Sequence, residues 1–248
     1  MVKAIQIELL KSKRTRSFFI VSLLMAIATI WNILTFSTAI QHPELKGEGT
    51  LFSNQNVNLF MLPIAVCVFA TRIVGNEYEG QTFKLQTANG QRMLTTFNHK
   101  FLFMMLLFSV LSILEVGVIS YFGIQAGIYV SVTAVGLQLV GQHLAIFSLI
   151  CLYLTLAMIM EKQGLVLALG LLGGFVSIVL NPGSDSFVSL INPLTGSGSL
   201  APYKYQFVNE GLSNYIFDNQ IFMKIIVDII QCFVLYGVVR TILRRREN

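Results

Sequence analysis

Two carboxylates stand inside apolar sequence. Glu115 is the one formal charge between Lys100 and Glu161, and Asp228 follows Lys224 by four residues. A carboxylate at membrane depth is costly and faces protein or water, where it binds a cation, holds a proton or accepts hydrogen bonds. Lys224 lies one helical turn before Asp228, so the spacing predicts a structural ion pair between them. Glu115 has no local partner of this kind. Two readings stay open for it: a protonated or interhelically hydrogen-bonded carboxyl, or a group on a substrate path that helps the acidic outer loops attract a cationic ligand. Asp228 is the second candidate on that path.

A second group of polar residues lies between Arg72 and Lys100. Asn76 is suited to cap a helix, and Glu79 three residues later supports that reading. Carboxylates at 77 and 79 suit the positive end of a helix dipole, and Asn89-Gly90 is a stop signal. These features predict a short helix near 77–88 at the membrane surface. A solvated loop with ordinary turn chemistry fits the residues equally well.

Other chemistry is missing. The sequence has no G-x-x-x-x-G-K-[ST] and no H-E-x-x-H, so it contains no P-loop and no zincin motif. His42, His99 and His143 are isolated, and no Ser, His and Asp group as a triad. Cys67, Cys151 and Cys232 fall in apolar segments without metal-ligand spacing and read as small buried hydrophobes. No metal site or catalytic residue is expected.

The elements that carry these residues follow from composition. The chain has 248 residues, 54% hydrophobic and 12% charged. Soluble domains carry about a quarter charged residues, so this is an integral membrane protein. Apolar runs predict spans over about 17–40, 57–74, 101–123, 132–160, 164–180 and 221–240. The fourth is long enough to tilt or break, and Asn181-Pro182-Gly183 ends the fifth. The run from Phe18 to Phe36 is too long for a signal-peptide core and reads as an uncleaved span. Val2, Ile5 and Leu9 share one helical face, which predicts an interfacial helix within 1–16.

Of the 17 Lys and Arg residues, only Lys46, Lys204 and Lys224 fall outside the N-terminus, the 72–100 loop, the link at Lys162 and the C-terminus. The positive-inside rule therefore puts both termini and the 72–100 loop in the cytoplasm. The loops near 41–56 and 181–220 face outside and carry more acid than base. The net charge of +5 sits at span ends. It reads as topology signal and contact with anionic lipid, not as a nucleic-acid surface. Gly170 and Gly174, with Gly173 beside them, predict close helix packing in span five.

The loop's order of residues resembles the coupling loop of type-2 ABC exporter permeases. The match lies in an acidic pair (Glu77, Glu79), Gly80-x-Thr82, Leu85, then Arg92 and Lys100. The resemblance extends over the chain: six spans, cytoplasmic termini, an amphipathic start and a large outer loop. Chain length, the start at Glu8 and Lys11 and the polar outer loop are most similar to the small permeases of lantibiotic-immunity exporters. The resemblance implies an all-α membrane protein with six transmembrane helices, a single permease domain over 1–248 and no attached soluble domain. It implies a cytoplasmic coupling helix whose Glu77, Tyr78, Glu79, Gly80, Thr82, Phe83 and Leu85 meet an ATPase. It implies partners: an ABC ATPase subunit dimer, a second related permease, membrane lipids and a cationic peptide cargo. ATP and Mg would sit on the ATPase, with no cofactor in this chain. The outer loop is expected to fold back as short re-entrant helices, against the alternative of a plain loop. An exporter of another substrate (a bacitracin-like drug, lipid or ion) is the nearest alternative. A membrane scaffold or sensor subunit is the more distant one, and an intramembrane enzyme lacks its catalytic groups.

Overall fold

The computed structural model describes residues 8–10, 16–42, 45–53, 56–80, 90, 92–180, 187–209 and 212–247. Nine helices and one hairpin follow in order among them: α1 (Ser17–Ala39), α2 (Glu48–Ser53), α3 (Asn56–Glu79), α4 (Met93–Gln125), α5 (Val132–Ile159), α6 (Gln163–Leu180), α7 (Phe187–Ile191), α8 (Gly196–Ser199), β1 (Tyr203–Asn209), β2 (Leu212–Phe217) and α9 (Ile221–Glu247). Six of the helical stretches are long and apolar enough to cross a membrane. Residues 8–10 are also helical. The rest of the expected interfacial helix lies outside the described residues.

The six spans match the apolar runs in number and order. Their ends differ at the basic face. α3 runs to Glu79 rather than ending near 74, and α4 begins at Met93 rather than near 101. α9 continues to Glu247. Asn76 does not cap a new helix: it lies within α3, and its carbonyl accepts from Gly80 N–H at 3.1 Å. Thr82, Phe83 and Leu85 lie outside the described residues, as does most of the helix expected near 77–88. The long fourth span is an unbroken helix, α5, with Ser131 Oγ accepting from Ala134 N–H at its start.

Burial divides the spans. In the apolar window of the span that includes α3, 72% of residues are buried, and 67% in α5, against 22% in α1, 28% in α6 and 22% in α9. α3 and α5 are therefore the centre, and α1, α6 and α9 turn large apolar side chains outward, among them Phe19, Leu34, Leu172 and Phe233. A core of aromatics (Phe69, Phe97, Phe103, Phe108, Tyr153) fills the half nearer the basic face. A second cluster, Phe36, Leu51, Phe52, Val116, Ile119 and Ile128, fills the other half.

The joint between α3 and α6 follows from one proline. Pro63 lies inside α3. It has no N–H, so the carbonyl four residues earlier loses its helical donor. That carbonyl belongs to Leu59, and the buried Ser177 hydroxyl of α6 donates to it. The same face of α6 is cut back to let the helices close. A Cβ at Gly174 would lie 2.8 Å from the Phe60 carbonyl oxygen, and one at Gly170 would strike Cys67. The small-residue pattern expected in span five is this seam.

On the outer side, α8 lies on α5, where a Cβ at Gly141 would lie 2.6 Å from the Leu200 carbonyl oxygen. The described residues 187–209 and 212–217 thus form short helices and an antiparallel hairpin. The hairpin is tied to α2 through Glu48. The Glu48 carboxylate accepts from the Tyr203 hydroxyl and, at 2.9 Å, from Ser131 N–H. Burial and that carboxylate raise the Tyr203 phenol above its usual range, which keeps it a donor.

The proline joint predicts a coupled pair. Ser177→Ala should lower stability by about 1–3 kcal/mol, the cost of a buried unsatisfied carbonyl. In a Pro63→Ala background, which restores the helical donor, the same change should cost much less. Thermal melts of the four purified variants measure the coupling. Equal losses in both backgrounds would refute it.

Candidate functional site

Polar groups gather at two depths. At the basic face, Lys100 of α4 is fully buried and its amine faces two carboxylates. Nζ lies 2.9 Å from Glu77 Oε1, in the last turn of α3, and 3.2 Å from Glu8 Oε2. It also donates to the Ile73 carbonyl at 3.4 Å. A buried amine is tolerated only when paired and hydrogen-bonded. Here the pairing ties three segments together: the helical residues 8–10, the end of α3 and the start of α4. Glu77 lies in the last turn of α3 and Lys100 about two turns into α4, so this ion group braces the two helices that flank the loop.

The other loop residues divide by exposure. Tyr78 is half-buried and its hydroxyl donates to the Met158 carbonyl of α5 at 2.8 Å. Glu79 and Gly80 are exposed. Gly90 has φ 73°, a left-handed conformation that favours glycine. Of the coupling set, then, Glu77 and Tyr78 face the protein, whereas Glu79 and Gly80 face outward.

The second group surrounds Glu115. Fifteen residues beyond Lys100 at ~1.5 Å each put it roughly 22 Å further along α4. Its side chain is buried, yet it has hydrogen-bonding partners from three helices, Asn32 of α1, Asn58 of α3 and Gln142 of α5. Oε1 accepts from Asn32 Nδ2 of α1 at 3.3 Å, and Oε2 from Gln142 Nε2 of α5 at 2.7 Å. Asn32 Nδ2 also donates to Asn58 Oδ1 of α3 at 3.2 Å. These residues and Gln138 line a small cleft, closed by Phe36, Leu51, Phe52, Val116 and Ile119. Four helices thus bring one carboxylate and four carboxamides together. The hydrogen-bonded reading of Glu115 describes this geometry.

Asp228 stands elsewhere. It is buried in α9 but does not line the cleft. The expected Lys224–Asp228 pair does not form. Lys224 Nζ lies 2.9 Å from Asp218 Oδ2, and Lys204 Nζ lies 3.1 Å from the same oxygen. The reason is local. Asp218 Oδ1 accepts from Gln220 N–H just before α9, which holds the carboxylate over the first turn. Asp228 instead meets the Cys232 thiol, 3.8 Å away. Among the described residues no cluster of three His, Cys, Asp or Glu side chains is suited to a metal.

Six membrane-length helices, a polar group at their centre and an ion-paired loop on the basic face are what a permease requires. A family model described as an ABC-2 family transporter protein matches residues 4–179. The chain belongs to the ABC-2 transporter family. No curated protein and no solved structure matches it. The matched stretch includes the Lys100 group, the loop, Glu115 and its carboxamides, and leaves out Asp228. ABC-2 permeases are the transmembrane subunits of ABC exporters and work with an ABC ATPase.

Sequence reasoning missed Glu8 as a partner of Lys100, Asn32, Asn58 and Gln142 as partners of Glu115, and Gln138 as a lining residue of the cleft. The signal was present: uncharged polar residues within apolar runs, at depths comparable to Glu115.

Removing the amine of the buried ion group should be expensive. Lys100→Met leaves Glu8 and Glu77 facing each other without a cation and should cost about 3–5 kcal/mol. Replacing all three by Glu8→Gln, Glu77→Gln and Lys100→Met should recover most of that loss. Melting of detergent-purified protein checks both statements, and a Lys100→Met protein as stable as wild type would contradict them.

Proposed function

We propose that this ABC-2 permease belongs to an exporter that expels a lantibiotic or related cationic peptide from the bacterial cell membrane and so protects the producing cell. The observation behind this reading is Glu115, a carboxylate in the interior of a permease whose sequence resembles the lantibiotic-immunity subunits. A cationic cargo has a reason to approach an anionic group set among hydrogen-bonding side chains. In this conformation the carboxylate is enclosed, with 2% of the residue exposed, so cargo reaches it only when the surrounding helices part.

In this reading the working complex pairs the chain with a second, related permease and an ABC ATPase dimer that binds ATP and Mg. The outward-facing Glu79 and Gly80, continuing to Thr82, Phe83 and Leu85, form the surface that touches the ATPase. Glu77 and Tyr78 serve as the rigid base behind it. Closure of the ATPase dimer pushes on the loop. Because the Glu77–Lys100 pair ties the helices on either side of it, the push reaches α3 and α4 together and moves the helices that carry Asn58 and Glu115. This is rigid-body switching of a bistable assembly.

Two expectations test the reading in cells that co-express the neighbouring ATPase and permease. Glu79→Ala with Gly80→Pro should abolish survival against a lantibiotic panel while the protein stays in the membrane. Glu115→Gln should lower survival while ATPase co-purification is unchanged. Full resistance in either variant at equal expression would count against the corresponding half of the proposal.

A further inference from the structure

The Glu115 cleft has a property that cargo attraction does not use. Three of its carboxamide oxygens, Asn32 Oδ1, Gln138 Oε1 and Gln142 Oε1, are buried and have no hydrogen-bond donor among the described residues. The residues are 1%, 5% and 2% exposed. Each such acceptor costs about 1–3 kcal/mol when left unsatisfied. Carboxamide ends can be turned by 180° to exchange O and N, but two of these are not free to turn. The amide nitrogen of Gln142 is committed to Glu115 Oε2, and that of Asn32 to both Glu115 Oε1 and Asn58 Oδ1. Their oxygens are acceptors by consequence.

The cleft therefore presents a carboxylate and two carboxamide oxygens fixed as acceptors, with Gln138 able to turn its own oxygen inward, and no thiol or imidazole among the described lining residues. Oxygen ligands select hard cations over soft ones. A single negative charge is neutralised by a single positive one, which also removes the cost of a lone carboxylate at this depth. The cleft is tight, bounded by Phe36, Leu51 and Phe52, and suits a water-sized ion rather than a bulky group. We propose that the oxygens of Asn32, Glu115, Gln138 and Gln142 form a binding site for one small monovalent cation. Two sources supply that chemistry: an alkali ion, or a primary ammonium such as the end of a lysine side chain. The site stands on geometry alone and does not depend on the identity of the cargo.

The test uses the full chain in lipid nanodiscs. Melting is followed in sodium, potassium, methylammonium and N-methyl-D-glucamine chlorides at equal ionic strength. A ligand that binds only the folded state raises the midpoint with its concentration, by roughly 5 °C at a hundredfold excess over its dissociation constant. Wild-type protein should show a saturable rise in at least one of the first three salts relative to N-methyl-D-glucamine. A rise in sodium or potassium identifies an alkali-ion site, and a rise in methylammonium alone identifies an ammonium site. Glu115→Gln should abolish the rise. Gln138→Leu removes one free oxygen but none of the hydrogen bonds to Glu115, so it should fold as wild type and weaken cation affinity about tenfold or more. Identical midpoints in all four salts would mean that water alone satisfies these oxygens, and would overturn the proposal. So would a rise that is unchanged in Gln138→Leu.

Discussion

Hydrocarbon offers no hydrogen bonds, so each polar group that a helix carries into it must be met by another helix. Much of this bundle is arranged by that constraint. Asn32, Asn58, Glu115 and Gln142 come from four different spans and find one another within hydrogen-bond distance. Leu59, deprived of its donor by Pro63, is met by Ser177. The apolar side chains between these points fill space and give little directional preference. The polar contacts select which face of each helix turns inward, and so define the register in which the six spans assemble.

The same constraint bears on the basic face. A lysine buried among helices would be expelled if it were alone. Lys100 is retained because Glu77 and Glu8 surround it. The ion group joins a segment before the first span to α3 and α4, the helices on either side of the loop. It leaves Glu79 and Gly80 on the outside of a stiff corner. The Met158 carbonyl held by Tyr78 adds α5 to the same corner.

The sequence carried the number and order of the spans plainly, because charged interruptions separate long apolar runs. It did not carry their ends at the basic face. Hydropathy treats Glu77 and Lys100 as two costs, whereas the fold pairs them, and so both helices run past the expected boundaries. Lys224 failed for the opposite reason. Four-residue spacing made Asp228 its natural partner, but Asp218, held at the start of α9 by Gln220 N–H, lies closer. Glu115 was conspicuous as a lone charge, and its surroundings were not. Which carboxamides reach it depends on the rotation of four helices about their axes, and no local pattern records that. The seam of Gly170 and Gly174 was readable as a motif, but its partner, the proline turn of α3, was not.

That seam has a consequence for how the chain is made. Synthesis proceeds from the N-terminus, so α3 enters the bilayer more than a hundred residues before Ser177 exists. During that interval the Leu59 carbonyl has no helical donor, a defect worth several kcal/mol in lipid. The half-built bundle is therefore less settled than its hydropathy implies, and α3 carries a marked spot where one later helix fits. When α6 arrives with its glycines and its hydroxyl, it closes the defect and stops being interchangeable with any other apolar helix. Pro63 acts as an assembly address, written early in the chain and read late.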